Sequence, residues 1–344
     1  MAQKRSSQFF RSILDSIRRA RWLAVLVGVF LLGAGFTFLS PVFLTTRNLG
    51  NIAVQSAITG VMAVGMTFVI MTAGIDISVG AIAYLTSALG AALVIQYQAP
   101  IVMYLVGIFL GMLLGLINGL IINFLRINPL VTTLATLYIY RGLGIHANQA
   151  GITIVDQGAR FFGTGTIAGV PMPLILPVLI GIIGALILNY TRLGRYVLAI
   201  GNSQDAAHDS GLPVRQVLIV VYVVAGLCAG LGGLILAGRV GAVSSDQGVN
   251  IEFTVITASV LGGTNLYGGR GSILGSLIGA ILLVMIDNGL NLINASPYIY
   301  DTVRGAVLVG AVMIDRASTV RLFTTGFPFN VLAARRRSEA ASQS

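Results

Sequence analysis

Residues 52–95 read IAVQSAITGVMAVGMTFVIMTA, then GIDISVG from Gly74 to Gly80, then AIAYLTSALGAALVI. Two apolar runs thus flank a short insert that carries one carboxylate, Asp76. On insertion scales an acid at the centre of a membrane helix costs roughly 2.5–3.5 kcal/mol, so Asp76 needs a partner, a wet surface or a task.

The same apolar texture repeats outward in both directions. Of 344 residues, 56% are hydrophobic and only 9% charged, too little polar surface for a soluble chain of this size. Runs near 20 residues without polar alternation point to helices and away from a barrel. The sequence predicts an all-α polytopic membrane protein of about ten transmembrane helices, some short or re-entrant, with both termini cytoplasmic.

Sixteen of the 21 basic residues fall in the tails and the expected inner loops, which sets that orientation. Residues 1–21, with Lys4, Arg5, Arg11, Arg18, Arg19 and Arg21 interleaved with Phe9, Phe10, Ile13, Leu14 and Ile17, form an amphipathic segment expected on the cytoplasmic leaflet. Trp22–Leu39 is read as an uncleaved first span. Residues 22–316 make the membrane domain, and 317–344, ending in Arg335, Arg336 and Arg337, a cytoplasmic tail expected to be disordered. This charge pattern is topology, so no nucleic-acid partner is expected.

Several chemistries drop out. Lys4 is the only lysine, so no G-x-x-x-x-G-K-[ST] phosphate loop exists and the chain does not hydrolyse ATP by itself. Cys228 is alone, and His146 and His208 are the only histidines, which argues against a disulfide framework, a metal cluster or a hydrolytic site.

The longest inner connection, residues 191–216, has its own structure. Asn202 or Ser203 is placed to cap a short helix, QDAAHDS, closed by Gly211 and followed by Pro213. Ala206 and Ala207 give that helix a low profile suited to a groove in another protein.

Four blocks now stand in register: GMTFVIMTAGIDISVG (65–80), INGLIINFLRINPLVTTLATLYIYRG (117–142), TRLGRYVLAIGNSQDAAHDSGL (191–212) and SVLGGTNLYGGRGSILGSLIGAILL (259–283). In this order and spacing they resemble the membrane permease subunits of ribose-type ATP-binding-cassette importers for monosaccharides, over roughly residues 40–316. The resemblance implies a transport subunit and not an enzyme, in a bacterial inner membrane. It further implies a second permease chain, cytoplasmic ATPase subunits that bind ATP and magnesium, an extracytoplasmic binding protein, and a pentose or hexose as cargo. No cofactor is expected in this chain. By the same resemblance Gly201, Asn202, Ser203, Ala206, Ala207, Ser210 and Gly211 belong to the coupling helix that enters the ATPase. One departure is Glu252-Phe253-Thr254, where such permeases commonly carry Glu-Leu-Asp.

Candidates for the translocation path are Asp76, Ser78, Asn118, Asn123, Thr132, Thr133, Asp287 and Asn288. For the asparagines, interhelical hydrogen bonding is an equal reading, and for the threonines back-bonding to the helix is the favoured one. Asp301 and Arg304, three apart on one helix, are expected to form a structural ion pair, and Asp287 is read as pairing with Arg304 or with backbone donors, or as facing a wet cavity. For Asp76 capping of the third helix, with Gly74 and Gly80 permitting the turn, is favoured over sugar contact, and both over proton coupling. The competing function is an ion-coupled secondary sugar transporter with Asp76 and Asp287 as coupling acids.

Overall fold

The computed structural model describes residues 21–319. Of the expected amphipathic segment at 1–21 all but Arg21, which opens the first helix, lies outside those residues, as does most of the expected tail. Thirteen helices are described: α1 Arg21–Leu39, α2 Thr46–Met71, α3 Val79–Tyr97, α4 Ile101–Phe124 with a π-helical turn at Val106–Leu110, α5 Pro129–Ala147, α6 Phe161–Thr164 and α7 Met172–Tyr190. They continue with α8 Arg192–Asn202, α9 Gln204–Asp209, α10 Val214–Val240, α11 Ile251–Leu261, α12 Ile273–Leu292 and α13 Pro297–Thr319.

Seven of these, α1 to α4, α7, α10 and α12, are long and apolar enough to cross a membrane. The other three spans in the expected ten coincide with α5, α11 and α13, which are helices but do not belong to the seven. α11 is the clearest shortfall, since its eleven residues rise only about 17 Å against a hydrocarbon core of about 30 Å.

α2 lies at the centre: 89% of its most apolar window is enclosed by protein, against 11% for α1 at the edge. α10 packs against α2, α3 and α4, while α12 packs against α2, α11 and α1. Small residues set these contacts. A Cβ added at Gly111 of α4 would stand 2.6 Å from the Gly226 carbonyl oxygen of α10, so the two backbones touch directly, as lipid-embedded helices do when small residues face each other. Between α2 and α12 the hydroxyls of Thr67 and Ser276 meet at 2.7 Å inside the core.

Four two-residue strands depart from an all-helical layout. β1 Ile152–Thr153 pairs antiparallel with β4 Ala242–Val243, which ties the exit of α5 to the exit of α10. β2 Thr166–Ile167 and β3 Val170–Pro171 form a hairpin whose two turn residues, Ala168 and Gly169, both have positive φ, the backbone that a tight hairpin turn demands.

The connection between α2 and α3 differs from the expected glycine turn. Its left-handed residue is Ala73, φ 59°. Gly74 and Gly80 serve close approach instead: an added Cβ would lie 2.9 Å from the Tyr222 hydroxyl at Gly74 and 2.5 Å from Glu252 Oε2 at Gly80. From Gly74 to Ser78 the chain is non-helical, and Asp76 and Ser78 are both fully buried.

Candidate functional site

The buried link gathers several of the polar residues singled out in the sequence. Asp76 Oδ1 accepts from the Ser78 backbone N–H at 2.9 Å and from the Ser78 hydroxyl at 2.6 Å. Ser78 Oγ in turn accepts from Asn118 Nδ2 at 2.8 Å, and Tyr140 donates to Asn118 Oδ1 at 3.1 Å or to the Leu114 carbonyl at the same distance. Thr133 Oγ1 accepts from Ile77 N–H at 3.2 Å. One network thus joins the α2–α3 link to α4 and α5, and each member limits the desolvation cost of the next. Ser78 sits at the N-cap position of α3 but caps no helix N–H with its side chain, so the expected capping role is replaced by a local turn held by Asp76. Among the described residues Asp76 Oδ2 and the Tyr222 hydroxyl are buried without a hydrogen-bond partner.

The other path candidates go elsewhere. Asn288 of α12 and Asn48 of α2 exchange two side-chain hydrogen bonds of 2.9 Å each, which makes Asn288 a helix-to-helix clasp. Asn123 donates to the Gly119 carbonyl of its own helix and borders a cavity of about 500 Å³ that also touches Gly74, Arg126, His208 and Tyr222. Thr132 is buried, and its hydroxyl has no partner among the described residues.

Arg304 pairs with Asp301 at 3.1 Å, as the spacing suggested, but its closer and better enclosed partner is Asp287. Nε and Nη2 of Arg304 reach Oδ1 and Oδ2 of Asp287 at 3.1 and 2.8 Å, a two-pronged contact that joins α13 to α12.

At the α8–α9 elbow Ser203 closes α8 and opens α9, its hydroxyl accepting from Ala206 N–H at 3.2 Å. Gly211 follows with φ 76°. The burial of the two alanines is split. Ala206 is exposed, whereas Ala207 is 4% exposed and its carbonyl accepts from Leu212 N–H. Ala207 therefore anchors the helix to its own chain and offers no docking face; the outer face is Gln204, Asp205, Ala206, His208, Asp209 and Ser210. Gly201 is buried against the Met71 carbonyl and Gly269, while Asn202 is exposed and folds back to the Leu198 carbonyl at 2.7 Å. The Met71 carbonyl also accepts from Gly269 N–H at 2.9 Å. The elbow thus rests directly on the end of α2 and on the loop before α12.

α8 was not foreseen. Its signal is present in the order Thr191, Leu193, Val197, Ile200: a cap whose hydroxyl accepts from Gly194 N–H, then apolar residues at helical spacing, two of them fully buried or nearly so. Tyr140 and Tyr222, which flank Asp76, were also missed, because aromatics inside apolar runs read as filler. Arg141 lies 4.7 Å over the Tyr84 ring and donates to the Gln247 carbonyl at 2.6 Å.

A helical bundle with seven helices long and apolar enough to cross a membrane is the architecture of a multi-pass membrane protein. The branched-chain amino acid transport system / permease component family matches residues 48–312. The chain is 40% identical to the ribose import permease protein of Bacillus subtilis (strain 168) over 297 residues, covering 86% of this chain and 92% of that one. It is 37% identical to the ribose import permease protein of Escherichia coli (strain K12), covering 84% and 92%. Against the D-allose transport system permease protein of the same strain it is 34% identical, covering 86% and 89%. No solved structure matches it significantly. The chain belongs to the ribose-type permease family of ATP-binding-cassette monosaccharide transporters.

Proposed function

We propose that this chain is the membrane-spanning half of a bacterial inner-membrane importer for a pentose or hexose. An extracytoplasmic binding protein delivers the sugar, a second permease chain completes the path, and separate ATPase subunits bind ATP and magnesium. The chain itself carries no cofactor. In this orientation the α8–α9 elbow faces the cytoplasm and the β1–β4 ladder faces outward.

The observation that carries the proposal is the seating of the elbow. α9 is a short capped helix with one face open and the other locked by Ala207, and Gly201 beneath it abuts the last carbonyl of α2. Three residues beyond that carbonyl the chain enters the link that holds Asp76. A partner that moves α9 therefore moves the buried polar seam, which is the geometry a helix-in-groove ATPase contact needs.

The test uses the open face. Ala206→Arg is expected to leave insertion and expression intact and to abolish co-purification of the ATPase, because the new side chain stands in the groove. Normal co-purification would overturn the assignment. Ala207→Arg is a poor probe, since it disrupts the chain's own packing.

The ion-coupled reading keeps one observation in its favour, the unpaired buried oxygen of Asp76. It requires the purified chain alone to move sugar in vesicles under a proton or sodium gradient, whereas the importer reading requires none to move.

A further inference from the structure

The cavity of about 500 Å³ that Asn123 borders lies between α9, the α4–α5 turn, the start of α10 and the α2–α3 link. In the proposed orientation it is on the cytoplasmic side. One wall is a single face of α10, where Arg215, Leu218 and Tyr222 recur at helical spacing. That wall runs from the helix start to a floor about 10 Å deeper at 1.5 Å per residue.

The mouth is positive. Arg126 and Arg215 line it and are exposed, and neither guanidinium has an ion-pair or hydrogen-bond partner among the described residues. Asp205 is the one carboxylate on the walls among the described residues. Arg126 holds a left-handed backbone, φ 55°, so a guanidinium stands where the conformation favours glycine. α10 begins behind Pro213 without a side-chain cap, which leaves its first N–H groups and its positive dipole end at the same wall. The floor adds an independent observation. Tyr222 lines the cavity and is 1% exposed, and its hydroxyl is buried without a hydrogen-bond partner among the described residues. That hydroxyl lies against Gly74 of the same floor, where an added Cβ would stand 2.9 Å from it. Buried hydroxyls are normally satisfied, so the floor is in want of a hydrogen-bonding solute.

We propose that this cavity binds a small phosphate monoester and that its occupancy brakes transport. Free guanidiniums beside an open helix N-terminus select phosphate, which Arg126, Arg215 and the start of α10 hold at the mouth while a hydroxyl of the same molecule meets Tyr222. The volume falls within the roughly 300–1,000 Å³ of small-ligand sites. Gln204 and His208 bring α9 to the same cavity, so the ligand ties α9 to the α4–α5 turn, to α10 and to the link that holds Asp76. Residues on a helix are about 100° apart, which turns Ala206 about 160° away from both Gln204 and His208. The ATPase face therefore stays open, and what the ligand opposes is the motion of α9 against the bundle. A ligand favours the arrangement it binds more tightly, here the one in which these elements stand together. The brake rests on the ATPase-coupled reading above; the binding site does not.

The site is tested on the full chain in phosphatidylcholine vesicles, heated with a thiol-reactive dye that reads the buried Cys228. D-Ribose 5-phosphate at about 10 mM is expected to raise the midpoint by about 3 °C or more, and D-ribose at the same concentration to leave it unchanged. Arg126→Gly, which accepts the left-handed backbone and so folds, and Arg215→Gln should each remove the shift. Replacing part of the lipid by phosphatidate tests the other source of a phosphate monoester: a rise in midpoint with phosphatidate, and no further rise with the sugar phosphate, assigns the mouth to a lipid headgroup and overturns the soluble ligand. The brake is tested in the assembled importer, where the sugar phosphate on the ATPase side should lower sugar uptake about threefold or more at that occupancy. Arg126→Gly should keep the uninhibited rate and lose the inhibition. No midpoint shift, or an equal shift in both arginine variants, overturns the site, and a shift without inhibition overturns the brake. If no ATPase co-purifies with the unmodified chain, the coupled reading falls and the brake with it, while the midpoints still decide the site.

Discussion

Replacing Gly111 by alanine probes the contact that holds α4 to α10. The new Cβ would lie 2.6 Å from the Gly226 carbonyl oxygen and 3.3 Å from the Gly230 Cα. Ordinary contact begins near 3.4 Å, so the helices must part by about 0.8 Å along a seam of backbone atoms that cannot rotate away. Overpacking of this kind costs typically about 1–3 kcal/mol. The gain in helix propensity on replacing glycine returns about 1 kcal/mol, which leaves a net loss of up to about 2 kcal/mol.

The chain supplies its own reporter. Cys228 on α10 is the only cysteine, and it is 3% exposed, so a thiol-reactive dye brightens only as the bundle opens. Midpoints shift by about 2–4 °C per kcal/mol in chains of 150–250 residues, and Gly111→Ala should fall by a few degrees. Gly142→Ala on α5 is the reference, because nothing lies within 4 Å of its added Cβ; it should hold or rise. Equal midpoints for the two variants would refute direct backbone contact as the basis of the α4–α10 seam.

Two other substitutions address the polar contacts. Asp76→Asn keeps the oxygen that accepts from Ser78, whereas Asp76→Leu strands the Ser78 N–H and hydroxyl in the core; the same dye assay should place Leu about 1–3 kcal/mol below Asn, and equal stability would show that the turn does not depend on that oxygen. For the Asn48–Asn288 clasp, a double-mutant cycle to alanine should return a coupling of about 0.5–1.5 kcal/mol, and strict additivity would mean the paired amides do not hold α2 to α12.

The sequence was most informative where a residue's role is local. Apolar runs bounded by Pro100, Pro129 and Pro173 place α4, α5 and α7 to within a few residues, and Ser203 with Gly211 frames α9. Roles that depend on a distant neighbour were hidden. Gly74 and Gly80 look like turn residues, and only the folded chain shows Tyr222 and Glu252 pressed against them. For Asp287 the sequence leaves Arg304, backbone donors and a wet cavity as equal readings, and only the folded chain selects the Arg304 guanidinium, seventeen residues away on another helix. Ala206 and Ala207 are identical as letters, yet the helical repeat turns one outward and the other into the core.

The peripheral place of α1 has a consequence for biogenesis. Its Gly28 and Gly33 face Leu282 and Met285 of α12, and its Phe36 covers Gly289, so its principal partner lies some 250 positions later in the chain. Helices enter a bilayer one after another and associate afterwards. α1 must therefore wait among lipids until α12, some 250 positions later, has left the ribosome. A chain that stops short of residue 273 would leave this helix without α12 as its docking surface, its apolar face turned to lipid.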